Sequence, residues 1–165
     1  MNEASGVPLR RLAARPIARP RRTERGSAAV EFVVVFPAFF MILYAIVTYS
    51  LIFVAQQNLT LAAEEGARAA LNYQQAASPG AALGARASAA CTAASNMVAS
   101  LVSKAQCTTT ATSCSYDATM KCVNVTLTYD YSNNPLIPAL PLWGLALPAS
   151  LQSSAMVQLN PENIL

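Results

Sequence analysis

From Phe32 to Ala55 the chain runs for about 24 residues without a charge. As an α-helix rising about 1.5 Å per residue this stretch reaches roughly 36 Å, against a hydrocarbon layer of about 30 Å. It can cross a membrane once, with some tilt, and that limits everything else: the residues beyond Ala55 must fold on the far side. Seven arginines (Arg10, Arg11, Arg15, Arg19, Arg21, Arg22, Arg25) precede it against Glu3 and Glu24, whereas Gln56 to Ala63 carries no charge. The bias places the N-terminus in the cytoplasm. A cleaved secretory signal is the competing reading, but its apolar core is about 7 to 15 residues and ends in an A-x-A-like site, neither of which fits.

Composition agrees with an anchor plus one domain. Hydrophobic residues make up 54% of the 165 and charged residues 12%, which points to a membrane protein rather than a soluble enzyme. The net charge of +3 divides into +5 up to Gly26 and −2 beyond it. Basic residues beside a span set topology, so no nucleic-acid partner is expected. The leader, residues 1–26, is broken by Pro8, Pro16 and Pro20 and is expected to be disordered.

Glu31 lies at the mouth of the span, where an isolated carboxylate deep in lipid would cost about 2.5 to 3.5 kcal/mol. One reading lets it reach the interface from the first helical turn, favoured by the positive end of the helix dipole. The other gives it a partner. Pro37 removes one backbone hydrogen bond, so a kink is expected there, which membrane helices tolerate. Beyond Ala55 the pattern turns amphipathic: Leu59, Ala62, Gly66, Ala70 and Tyr73 share one face, Gln57, Thr60, Glu64 and Arg68 another, with Glu64 set to pair with Arg68. The expectation is one helix over 27–73, spanning the membrane at about 32–55. Its small-residue stripe, Ala62, Gly66 and Ala70, admits a close neighbour, either the chain's own domain or another subunit.

A basic leader ending in Gly26, Val30-Glu31-Phe32, Pro37 and the run Gln57-Asn58-Leu-Thr-Leu-Ala-Ala-Glu64-Glu65-Gly66-Ala67-Arg68 together resemble the TadE-like proteins of the tight-adherence (Flp-type) pilus apparatus. The resemblance implies a minor pilin or pseudopilin of the bacterial inner membrane, with a role in pilus assembly and cell adhesion. It further implies cutting between Gly26 and Ser27 by a prepilin peptidase, Glu31 as an assembly or recognition charge, and pilin subunits and other pilus assembly proteins as partners. Ser27 stands where other type IV pilins commonly carry phenylalanine. The alternative is therefore an uncleaved single-pass component of the pilus or secretion machine whose exported domain binds partners.

Residues 74–165 read as the exported domain, periplasmic or extracellular. Ser78-Pro79-Gly80 breaks the first helix, and a second is expected from about Ala81 to Ala105, with Leu83, Ala87, Ala90, Ala94, Met97, Leu101 and Val102 at helical spacing. Then the period becomes two: Val123, Val125, Leu127, Tyr129 and Tyr131 alternate with Asn124, Thr126, Thr128 and Asp130. Thr112 to Tyr116 is expected to pair with this strand across Asp117 to Met120, and Leu151 to Leu159 supplies a third. The fold class is α+β and pilin-like: a long helix and a second helix on a small antiparallel sheet. Asn134 to Pro148 holds four prolines yet is too apolar for a solvated loop, so it packs on the protein or meets a membrane or partner surface.

Cys91, Cys107, Cys114 and Cys122 all follow the span, and an even count in an oxidising compartment suggests two disulfides. Of three connectivities, Cys114 with Cys122 across the hairpin and Cys91 with Cys107 is preferred. The chain has no histidine and no C-x-x-C pair, so neither a metal site nor a cofactor is expected. Imidazole-based catalysis is excluded, and Glu64, Glu65, Asp117, Asp130 and Glu162 show no paired spacing, so no enzymatic activity is expected.

Overall fold

The computed structural model describes residues 25–138 and 147–164. The expected disorder of the leader, and the core of the proline-rich stretch with Leu140, Leu142, Trp143 and Leu145, lie outside the described residues. Contacts divide the chain into two compact units, Met1–Met41 and Ile42–Leu165.

Helix α1 (Arg25–Ala69) begins within the first unit and is assigned without interruption through Pro37. Between Ala28 and Met41 every residue is exposed, and the ring of Phe32 stacks on that of Phe36 one turn later, centroids 5.2 Å apart. A helix apolar on all sides and buried nowhere is suited to lipid, where its intrahelical hydrogen bonds satisfy the backbone. Among the described residues, α1 is the helix that meets the length and apolarity of a membrane span.

In the second unit, Ile42–Leu165, the rest of α1 joins α2 (Pro79–Val98), the antiparallel strands β1 (Gln106–Ser113), β2 (Lys121–Asp130) and β3 (Ser150–Leu159), and a closing 3-10 turn, Pro161–Asn163. The fold is α+β, with the helices on one face of a sheet ordered β1-β2-β3. β2 is central because its alternation is complete: Val123, Val125, Leu127 and Tyr129 are buried, and Tyr131 just beyond the strand continues the series. These side chains meet Leu59, Ala62, Ala63 and Ala67 of α1 and Ala90, Ala94 and Val98 of α2 in one core. The opposite face, including Thr108, Thr126 and Ser154 in one row of the register, is mostly polar, with exposed Met156 and, at the end of β2, Asp130 on it.

Several boundaries differ from the sequence-based expectation. α1 stops at Ala69, four residues early, because Leu71 and Asn72 donate to the carbonyls of Arg68 and Ala69 in a tightened last turn; Tyr73 is left exposed. α2 starts at Pro79, where the extended Ser78 caps it by accepting from the Ala81 N–H at 3.3 Å. It ends at Val98 rather than running to Ala105, and its buried stripe is Ala82, Arg86, Ala90, Ala94 and Val98. That stripe is offset from the expected one: Leu83 and Ala87 are half-buried and Met97 is exposed. β1 begins at Gln106 and stops before Tyr116, since pairing Thr112 with Cys122 and Ser113 with Lys121 uses up the start of β2. Exposed Arg68 meets Glu65, at 3.9 Å, rather than Glu64.

Candidate functional site

Apart from the cysteines, the residues singled out by the sequence fall in two sets along α1, with Ala70 one residue past its end. Gly26 and Ser27 fall in its first turn by backbone assignment. Glu31 is exposed one turn further on and makes no hydrogen bond or ion pair with the described residues. Val30, Phe32, Val34 and Val35 surround it, each more than half exposed. A lone carboxylate on an apolar helix is what the sequence led one to expect, and the geometry leaves its oxygens open to a partner from another chain or to interfacial water.

The second set is the packing face. Ala62 and Ala70 are fully buried, and Gly66 between them sits where three elements converge. A Cβ at Gly66 would lie 2.9 Å from the carbonyl oxygen of Ala90, 3.0 Å from Ala94 Cβ and 3.2 Å from Val125 Cγ1. Glycine is thus what lets α1 approach α2 backbone to backbone. The stripe is occupied by the chain's own domain, one of the two uses the sequence allowed.

Coverage of α1 by the domain starts earlier than expected. Thr48, Ile52 and Ala55 are buried, and the Tyr44 hydroxyl donates to the carbonyl of Pro138. Before Tyr44, every residue from Ala28 to Leu43 is exposed.

Arg86 is the residue that spacing alone should have revealed, at four-residue intervals from Ala82 and Ala90, and that composition concealed. It is 3% exposed. Its Nη1 donates to the carbonyls of Ala70 (3.3 Å) and Leu71 (3.1 Å), and its Nη2 to that of Ile164 (3.3 Å). The guanidinium caps the C-terminal end of α1, where free carbonyls and the negative end of the dipole favour a cation, and ties that end to the chain's last turn.

All four cysteines are paired. Cys91–Cys107 joins α2 to β1 with Cα atoms 5.6 Å apart, and Cys114–Cys122 closes the β1–β2 connection at 5.0 Å. The disulfide connectivity is the preferred one of the three. Among the described residues no cluster of three or more potential metal-ligating side chains occurs.

The family of TadE-like proteins matches residues 26–68. The matched segment, about a quarter of the chain, opens at Gly26, holds Glu31, Pro37, Ala62 and Gly66, and closes at Arg68; Ala70 lies beyond it. No curated protein and no solved structure gives a significant match to the chain.

Proposed function

We propose that this protein is a minor pilin or pseudopilin of the tight-adherence pilus, held in the inner membrane by α1 with its N-terminus in the cytoplasm and residues beyond the span exported. It acts by assembly rather than by chemistry. The observation that carries this is the family match over residues 26–68, which starts at the residue before the proposed cut and contains Glu31, a carboxylate with no partner among the described residues. A prepilin peptidase removes the leader between Gly26 and Ser27. The new amino group of Ser27 then lies about one helical turn from Glu31, on its own chain or an adjacent one, and an ammonium–carboxylate pair there offsets the insertion cost and fixes the register between neighbouring helices.

Intact mass of protein from native membranes tests the cut. Mass beginning at Ser27 is expected, and retention of the leader in cells with an active prepilin peptidase leaves the permanent, uncleaved anchor in its place. Glu31→Gln tests the pairing. It should insert, because losing a charge eases entry into lipid, but lose crosslinking to pilus partners. Normal crosslinking and piliation in that variant would return Glu31 to the role of an interfacial side chain.

A further inference from the structure

The sheet has two edges, β1 and β3, and hydrogen bonds fix which backbone groups point out of each. The Cys114 N–H donates to the Met120 carbonyl on the β2 side, so by the alternation of an antiparallel ladder Thr112, Thr110 and Thr108 also turn their backbone groups to β2. Cys107, Thr109, Ala111 and Ser113 turn theirs outward. On β3 the same alternation turns Gln152, Ser154, Met156 and Gln158 outward, and the Gln152 carbonyl accepts from Gln56 Nε2 of α1 at 2.9 Å. Past Gln152, the outward N–H and C=O groups of β3 and all those of β1 have no hydrogen-bond partner among the described residues.

Neither edge carries the devices that ordinarily keep sheet edges apart. Residues 105–116 and 150–160 hold no charge, neither strand contains proline, and both registers run without a bulge. The two edges also fit each other. β1 and β3 are both antiparallel to β2 and so run the same way, and the contacts of Gln56 with Gln152 and of Thr60 with Ser153 show that this is the direction of α1. A second copy set with its β1 against this β3 therefore makes a parallel junction and keeps both α1 helices the same way up, as one bilayer requires. Joining β1 to β1 antiparallel would set the helices in opposite directions. Thr110, Asn124 and Met156 share a row of the register, so Met156 comes opposite Thr110 of the second copy, between the outward Thr109 carbonyl and Ala111 N–H of that strand. The polar face continues across the junction, and the depression that Ala67, Arg68 and Leu71 of α1 form with Ala155 and Val157 lies where the small Ala111 side chain arrives. Lys104, just before β1 of the second copy, comes to the end of the sheet that holds Asp130, a charge of opposite sign.

We propose that copies of this protein add side by side, β1 of one continuing the sheet of the next at residues 154–158 of β3. Strand addition of this kind draws its affinity from main-chain hydrogen bonds. The interface is heterologous, so a row of copies keeps a free β1 edge at one end and a free β3 edge at the other, and it can repeat. The proposal rests on the role in assembly and deepens it by naming a second copy as a partner; contact between copies is measured apart from contact with pilus proteins.

The full chain, with p-benzoylphenylalanine in place of exposed Thr112, is reconstituted in liposomes and irradiated, and the crosslinked peptides of the two-chain product are mapped by mass spectrometry. Thr112 shares a row with Cys122 and Gln158, so bonds to residues 156–160 of the second copy are expected, with higher multiples of the chain above them. A product that joins β1 to β1, or no two-chain product, overturns the proposal. Thr109→Pro removes an N–H that points away from β2, so the internal ladder is kept and the yield should fall several-fold; an unchanged yield overturns the proposal. Two chains with paired changes at exposed positions separate a lost junction from a folding defect. Thr110→Lys with Met156→Lys sets two lysines against each other across the junction and should lose the product, whereas Thr110→Lys with Met156→Glu should restore it. Equal yields from these two chains overturn the proposal. Crosslinks between copies without any to pilus proteins in native membranes would support the junction and refute the pilus role; crosslinks to pilus proteins without any between copies would do the reverse.

Discussion

Gly66→Ala is the substitution for which local propensity and packing give opposite signs. In a helix interior, alanine is favoured over glycine by about 0.8 to 1.0 kcal/mol, so an isolated α1 would gain. In the domain the new methyl would lie 2.9 Å from the Ala90 carbonyl oxygen, which is backbone in the middle of α2 and cannot rotate away, and 3.0 Å from Ala94 Cβ. Relief requires α1 and α2 to separate, which loosens Ala62, Ala90, Ala94 and Val125 together, and overpacking of this kind costs about 1 to 3 kcal/mol. With neighbours this rigid the upper half of that range applies, leaving a net loss of about 1 to 2 kcal/mol after the propensity gain. Gly84, exposed on α2 with open space for at least 4 Å around the position a methyl group would take, is the control: Gly84→Ala should gain up to about 1 kcal/mol. Both are measured by urea unfolding of the oxidised full chain in detergent, followed by far-UV circular dichroism. If Gly66→Ala is as stable as the parent or more so, the argument that glycine sets the α1–α2 spacing would be refuted.

Other perturbations test separate parts of the domain. Replacing Cys91 and Cys107 by alanine, which opens a link across 16 residues, should cost about 3 kcal/mol, and replacing Cys114 and Cys122, across 8, about 2.5, as midpoint shifts in the same assay; equal midpoints for parent and variants would contradict this. Arg86→Met should cost on the order of 3 kcal/mol by stranding the carbonyls of Ala70, Leu71 and Ile164, and Arg86→Lys should not restore it, since an ammonium lacks the planar fork that reaches all three. The Asp130 carboxyl is held below its usual 3.8 chiefly by the Asn133 side chain, then by Ser132 and the Asn133 N–H. Because the folded value is the lower one, its contribution is present above pH 3.8 and is lost as pH falls through the folded value. Asp130→Ala should therefore be less stable than the parent at pH 7, by a margin that narrows as pH falls below 3.8, and a margin that stays constant throughout acid titration of the folded protein would oppose the assignment.

What the sequence made legible depends on which interactions are local. The long apolar helix and the β2 alternation rest on spacing within one segment, and the structure has them in place. The end of α1 was less legible because it is decided by Arg86, sixteen residues beyond Ala70, whose guanidinium takes the carbonyls that a longer helix would have used. α2 is rich in alanine, so its hydrophobic pattern has little amplitude, and the phase of its buried stripe is set by the neighbour it meets at Gly66. The exposed end of α2 shows the same weakness: Met97 is its largest apolar side chain and still faces outward, while smaller Ala94 and Val98 go in. The β1 boundary depended on register, which is a property of two strands, and Cys107 opposite Leu127 pins it through a disulfide to α2.

Where the membrane ends on α1 is a question hydropathy cannot answer alone, because the same side chains suit lipid and a protein core. Ile52 and Ala55 are as apolar as Ile42 and Ala45, yet only the first two are buried under the sheet and α2. The distinction lies in whether anything from the rest of the chain is available to cover each turn. Thr48 marks the change, as the first residue along the helix to be buried, and one turn earlier Tyr44 reaches Pro138. Above that level the helix has a covered face and an open one, with Phe53, Val54 and Leu61 still exposed. Burial on one side and apolar exposure on the other mean that the domain alone does not exhaust the helix surface above Val47. The proposed role in assembly gives that open side a use. Substituting Phe53 by a polar residue should accordingly leave folding of the domain within about 0.5 kcal/mol, as expected for an exposed site, while weakening crosslinks to pilus partners. If those crosslinks persist unchanged, the open side of α1 is not where partners meet, and assembly must be sought at the polar face of the sheet.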